Sequence, residues 1–379
     1  MTTVVVSPYK VASFLQGGGH FWVYMQYVLG LRQLGCQVYW LEQLQPGAES
    51  AQGKEALKIF ASRMRTFGLQ DRFILYSTIP NSDQLSFHGS AADQAKSIFR
   101  QADLLLNFHY AAKPQILHLF RRTALIDIDP GLLQFWISHS QLSVQPHDLY
   151  FTIGETVGTK RALFPDCGLV WLHTRPVVNL DAWPFHFLPD APAFTSVSTW
   201  ATDSWIVDES VAYENSKRIT YRQFAELPRH TSQELELALY LIEKDDAERK
   251  WMESLGWHIR LSTEVAGDPE QYRAYIQRSR GEFSVAKPAY ISFQTAWVSD
   301  RSLCYLASGK PVVVQNTGPS TYLPDGEGLF RFSTLGQAAA AIEAINQAYP
   351  EHCQAARQIA HDYFDSRKVL QDLLERSLR

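Results

Sequence analysis

A chain of 379 residues is too long for one ordinary core and fits two domains of roughly 150–200 residues each. Hydrophobic residues make up 46% and charged residues 20%, with 35 basic residues interspersed among 39 acidic ones for a formal net charge of −4. That balance describes a globular protein without the basic face needed to neutralise a run of phosphates, so nucleic acid is not expected as its main partner.

In chain order, "TTVVVS" is a β-branched run suited to a strand buried on both faces. The loop "PYKVASFLQGGGH" follows, then "FWVYMQYVLGLRQLG", where Phe21, Tyr24, Met25, Val28 and Leu31 recur at helical spacing and Gly35 is placed to end the helix. "CQVYWLE" is the next strand, so the chain opens as a βαβ unit. "DRFILYS", "DLLLNF" and "RTALIDID" continue as strands, with helical segments around 53–67, 90–100 and 113–120 between them. Such alternation predicts a parallel sheet covered by helices. "LYFTIGE" and "GLVWLHT" complete this part, and "RPVVNLDAWPFHFLPDAPAF", with Pro176, Pro184, Pro189 and Pro192, reads as the linker.

A second alternating stretch begins with the strand "FTSVSTW". Helices are expected over 215–255, including the Leu-rich "SQELELALYLIE". Then come "WHIRLS" as strand, "PEQYRAYIQRS" as helix, "AYISF" as strand, "SDRSLCYLASG" as helix and "PVVVQ" as strand, with the last 45 or so residues helical. The expected fold class is α/β: two Rossmann-like domains with parallel sheets facing across a cleft. They would cover 1–185 and 186–350, with helices of 351–379 packing back on the first. Cys36, Cys167, Cys304 and Cys353 share no CxxC or Cys/His spacing, so neither a disulfide framework nor a metal site is expected, and a reducing cytosol fits. The N-terminal apolar run is too short for a signal peptide. No run approaches the roughly 18 apolar residues of a membrane helix, and a cytoplasmic protein without an integral membrane segment is expected.

Ser299 is placed to cap the helix that it opens, its hydroxyl accepting from first-turn N–H groups. Arg301 is harder to place, because a cation in the first turn opposes the helix dipole. It makes sense if it points at a bound phosphate alongside the free N–H groups of the helix start. Asp300 can pair with it.

"SLCYLASGKPVVVQNTG" followed by "YLPDGEGLFRFSTLGQAAAAI" resembles the donor-binding half of GT-B glycosyltransferases. In that family a helix ending in A-x-G-x-P-V-V leads into a strand and then a D-G-x-x-G-L loop. Asp325, Gly326, Gly328 and Leu329 stand at those places, and "AARQIAHDYFDSRKVLQDLLE" is similar to the family's terminal helices. The resemblance covers about 90 residues. It implies a nucleoside-diphosphate sugar held by the second domain, through Ser299, Asp300, Arg301, Lys287, Trp297, Gly318 and Glu327. Cys304 departs from the pattern, standing where many retaining members carry the acidic residue that holds the donor ribose. The Arg and Lys that those members place after the first strand of this domain are not seen following "FTSVSTW". Arg301 and Lys287 are therefore the expected substitutes.

The glycines of "QGGGHFWVY" permit a tight turn and close approach to a ligand, which makes Gly18 and Gly19 phosphate- or acceptor-loop candidates. His20 at the helix start would be held neutral and able to take a proton. Inverting members of the resembled family use a histidine here as the acceptor's base. Asp129 in "DIDPG" starts a turn and is a candidate to orient His20 or bind an acceptor hydroxyl. Glu155 in "TIGET" is a loop carboxylate, structural or part of the acceptor loop. Trp200, Trp205 and Trp297 could stack on a base or sugar, or simply pack. No cofactor and no metal is expected. The activity implied is transfer of a sugar from a nucleoside-diphosphate donor to the hydroxyl or amine of a small-molecule or glycan acceptor. A sugar-nucleotide epimerase of the same fold and a silent sugar- or nucleotide-binding protein are the alternatives.

Overall fold

The computed structural model describes residues 1–379 except 49, 80, 81, 83, 202–204, 209 and 210. The side chains of 205–208, 211 and 212 also lie outside the described part, and with them the question of what Trp205 stacks on.

The first sheet has eight strands: β1 (Thr3–Ser7), β2 (Gln37–Gln43), β3 (Phe73–Thr78), β4 (Leu85–His88), β5 (Leu104–Asn107), β6 (Thr123–Asp127), β7 (Leu149–Thr152) and β8 (Trp171–His173). Their order is β4-β3-β2-β1-β5-β6-β7-β8, parallel except for the antiparallel edge strand β4, which the hydrophobic pattern did not suggest. Val4, Val5 and Val6 are all fully buried, but Val4 and Val6 belong to one apolar cluster and Val5 to another. A side chain alternates faces at every residue of a strand, so a continuous β-branched run serves two helical layers at once.

The second sheet contains β9 (Ala193–Thr199), β12 (Glu234–Tyr240), β13 (His258–Leu261), β14 (Gly281–Ser284), β15 (Val312–Gln315) and β16 (Leu329–Phe332), in the order β13-β12-β9-β14-β15-β16. A separate hairpin, β10 (Trp205–Asp208) and β11 (Val211–Glu214), interrupts the connection out of β9. The chain therefore folds as two α/β units with parallel-dominated sheets.

Two expected elements are corrected. "ELELALY" is a strand, not a helix, pairing β9 on one side and β13 on the other. Leu235, Leu237 and Leu239 are buried at a period of two, which outweighs the helix propensity of Glu, Leu and Ala. "AYISF" belongs to the helix Pro288–Phe293, opened by a proline whose fixed φ suits the first helical position. The strand of that region is the earlier "GEFS", whose buried Glu282 disguised it as polar.

The helix Ser366–Ser377 lies against the first domain's helix Gly18–Gln33, at Gly30. A Cβ there would come within 2.6 Å of Ser366 and 2.7 Å of Leu370. One apolar cluster runs through both units, taking Trp22 from the first and Tyr272 and Leu303 from the second. Among the described residues no helix is long and apolar enough to cross a membrane.

Candidate functional site

Strands of both sheets end at a shared cleft of about 360 Å³. Val197, Ser198 and Thr199 reach it from the end of β9, and Lys287 from the turn after β14. Ser299, Asp300 and Arg301 come from the start of the helix Asp300–Ala307, and His20 and Asp129 from the first domain.

Arg301 is not a solvent-facing first-turn cation. It is 8% exposed, and its Nε donates to Glu282 Oε1 at 2.6 Å while Nη1 donates to the Val197 carbonyl at 2.9 Å. Its charge partner is Glu282 rather than Asp300. Burial opposes its charge, but Glu282, together with Tyr221 and Tyr272, holds the guanidinium above its ordinary pKa. Its buried Nη2, on a residue that lines the cleft, has no partner among the described residues. Ser299 stands at the cap position but its hydroxyl makes no cap hydrogen bond, and the Asp300 carboxylate turns back onto its own amide.

Lys217 is the residue missed at the sequence level. It lines the cleft at 9% exposure, and desolvation first, then the nearby Arg301, pushes its pKa well below the ordinary lysine value, with Glu282 pulling the other way. A signal existed: Lys217 is a cation in the first turn of a helix preceded by "NS", the anomaly that singled out Arg301. The hairpin β10–β11 put it too far from β9 to be noticed. Lys287 also lines the cleft, at the cap of the helix Pro288–Phe293. Trp297 stacks on Tyr290 with ring centroids 4.2 Å apart and planes 5° from parallel, and its indole Nε1 has no partner among the described residues. Trp200, by contrast, is core, stacked on Tyr221 and donating to Glu248. Cys304 is buried against the cleft, its Sγ 3.6 Å from the Gln26 amide nitrogen.

Facing these cations is His20, whose Nε2–H donates to the Tyr9 carbonyl at 2.6 Å. That bond fixes the tautomer of a neutral ring and leaves Nδ1 as the atom that can take a proton. Burial lowers its pKa, against the opposing influences of the Tyr9 bond and Asp129. Asp129 does not hydrogen-bond His20; it accepts from Tyr290 at 2.6 Å and from Tyr110 at 3.1 Å, tying the two domains together. Asp300, desolvated and close to Asp129, has its carboxyl pushed up to about 7.

Other expected site residues serve the frame. Glu155 accepts from the Thr321 amide at 2.7 Å, from its hydroxyl at 2.6 Å and from the Ser320 hydroxyl, a clasp between domains away from the cleft. Gly318 does not line the cleft. Its φ of +119° lets it back onto Gln294, where a Cβ would meet backbone at 2.7 Å. It thus supports the loop before Trp297, in which Gln294 and Ala296 both hold positive φ. Glu327 is exposed at the amino-terminal side of β16, away from the cleft, and Asp325 accepts from the Arg331 amide there. Gly18 and Gly19 do line the cleft, but the close approach that they permit is to the second domain. A Cβ on Gly18 would meet the Asp268 carbonyl at 2.4 Å, and one on Gly19 the Tyr272 ring at 2.7 Å. Among the described residues no group of three or more His, Cys, Asp or Glu is placed to hold a metal ion.

No family model and no curated protein matches the sequence. Solved structures do match the fold. An alpha-glucosyltransferase in complex with UDP and a 13-mer DNA superposes over 100% of both chains with a TM-score of 0.59 at 9% identity. Anabaena Alr3699/HepE in complex with UDP and glucose covers 99% of each chain at 0.57 and 10%. The sucrose-phosphate synthase of Thermosynechococcus elongatus covers 100% of this chain and 99% of its own at 0.55 and 12%. The chain has the GT-B fold. In GT-B terms the cations stand on the second domain and His20 on the first, with the cleft between the two Rossmann-like units.

Proposed function

We propose that the protein transfers a sugar from a nucleoside-diphosphate sugar to an acceptor hydroxyl. The observation that carries this is the pairing across one cleft of a cationic wall with a neutral histidine. Lys217, Lys287 and the free Nη2 of Arg301, with the N–H groups at the start of the helix Asp300–Ala307, would hold the diphosphate. The reading assigns the leaving group's charge to these groups rather than to a metal ion. As the acceptor oxygen bonds to the anomeric carbon, the bond from that carbon to the diphosphate oxygen breaks. The electron pair leaves with the nucleoside diphosphate, and the acceptor proton passes to His20 Nδ1.

UDP is the nucleotide in two of the similar structures, so UDP-sugars are tested first, then TDP- and GDP-sugars. Free nucleoside diphosphate that depends on an acceptor supports transfer. Asp129 and Asp300 supply the pair of cleft carboxyls that an epimerase would use, so sugar isomers formed without any acceptor would replace the reading with that one. Thermal stabilisation by nucleotide with no turnover would leave a binding protein. The net charge of −4 speaks against DNA as the acceptor. A 13-mer duplex in the acceptor panel checks this.

A further inference from the structure

A second cavity, of about 560 Å³, opens from the same wall and reaches almost wholly into the first domain. Its lining follows the carboxyl ends of three strands: Tyr9 after β1, Phe108, His109 and Tyr110 after β5, and Asp129 after β6. In the order β2-β1-β5-β6 the chain runs outward in one direction from β1 and in the other from β5. The gap between those two strands is the switch point, where an open sheet forms its crevice. The donor cleft occupies the matching place in the second sheet, between β9 and β14. The two cavities meet at His20, Val23, Asp129 and Asp300. A molecule seated in the second cavity therefore reaches the donor's anomeric carbon past the candidate base.

The walls are mostly rings and aliphatic groups, with Trp136 and Leu142 joining the four aromatic residues already placed. Tyr9 stacks on His109 with centroids 4.8 Å apart. The Tyr110 hydroxyl is already used, donating to Asp129 and accepting from the Ile128 amide. Among the described residues no lysine or arginine lines the cavity, and Lys10, over the Tyr9 ring, is exposed. A saccharide would bring a hydroxyl on nearly every carbon against walls that are mostly rings and aliphatic groups, where Gln141 and the two carboxyls are the polar side chains without a ring, and each group left unpaired would cost desolvation energy. An anionic acceptor would meet Asp129 and Asp300 without a cation.

We infer that this cavity is the acceptor subsite and takes a flat, uncharged aromatic alcohol of two or three rings, a size its volume suits. The inference rests on the transferase reading for its chemistry. The phenolic oxygen bonds to the anomeric carbon, the carbon–diphosphate bond breaks with its electron pair leaving on the nucleoside diphosphate, and the phenolic proton passes to His20 Nδ1.

The test is titration of the full chain, without donor, with 2-naphthol and with maltose by calorimetry. It is repeated on Tyr9→Ala and Leu142→Gln, whose side chains are both partly exposed and so cost the fold little. The expected result is that naphthol binds, maltose does not, and each variant with a wild-type melting curve loses about tenfold or more in naphthol affinity, the worth of one good apolar contact. Maltose binding in place of naphthol, or naphthol affinity unchanged in both variants, overturns the inference. A donor-containing arm separates the two readings. Transfer to maltose but not to naphthol refutes the subsite and keeps the transferase. Naphthol binding lost in the variants, with no nucleoside diphosphate released from any donor, keeps the aromatic site and refutes the transferase.

Discussion

Replacing Arg301 by methionine separates structure from ligand binding in a way that the sequence alone would have misjudged. An exposed first-turn arginine opposes the helix dipole, and losing it would cost a fold nothing. In the structure the guanidinium is 8% exposed and Glu282 is fully buried, with its second carboxylate oxygen already lacking a partner among the described residues. Arg301→Met removes the one strong contact at 2.6 Å and leaves a carboxylate in the sheet interior. Breaking a buried pair from one side costs about 3–5 kcal/mol. At roughly 2–4 °C per kcal/mol for domains of this size, the melting temperature should fall by about 6–20 °C. Replacing both partners with methionine removes the stranded charge and should restore most of that loss. The double variant would still lack the Nη2 donor, so its UDP affinity should be down about ten- to hundredfold, the worth of a charge-assisted hydrogen bond of roughly 1.5–3 kcal/mol. Differential scanning calorimetry and isothermal titration on the same samples check both. A single variant melting within about 2 °C of wild type refutes the stranded-charge argument. A double variant that binds UDP normally refutes the phosphate role.

His20→Ala should abolish acceptor-dependent release of nucleoside diphosphate while leaving UDP affinity within about twofold, measured by coupled assay and calorimetry. Asp300 binds its proton more tightly folded than unfolded, so its contribution to stability is complete below the ordinary aspartate value and is lost as pH rises through about 7. Asp300→Asn should therefore gain melting temperature relative to wild type between about pH 5 and pH 8, and a flat difference would count against a desolvated carboxyl there. Gly18→Ala should lower the melting temperature more than Gly19→Ala. The first drives a methyl into the Asp268 carbonyl and the second into the Tyr272 ring, against a typical overpacking cost of about 1–3 kcal/mol. Glu155→Ala should weaken the contact between domains, seen as faster limited proteolysis near Thr321, with no loss of UDP affinity.

Much of the fold was legible because hydrophobic period and turn residues are local. The valines of β1, the Leu run of β5 and the proline-rich segment before β9 each carry their meaning within a few residues. Where local signals compete, the sequence misleads. β12 is written in helix-forming residues and is a strand because the sheet supplies partners on both sides. β14 is four residues long with a carboxylate in its middle, which no hydrophobic pattern would flag.

The site divides along the same line. Residue type and position within an element, such as a first-turn cation or a histidine after a glycine loop, can be read from the chain and led to His20, Lys287 and Arg301. What each residue touches cannot, because the partners are distant. Arg301 and Glu282 lie 19 residues apart, and Lys217 stands 84 residues before the arginine whose cleft it shares. Glycines show the consequence best. A run of three reads equally as a seat for a ligand or for another piece of protein, since both need the space of an absent Cβ. None of the three holds a positive φ, so room is what they provide. Here Asp268 and Tyr272 take that room at Gly18 and Gly19. The loop therefore shapes the cleft indirectly, by letting the second domain pack beside His20 so that the histidine and the cations line one cleft.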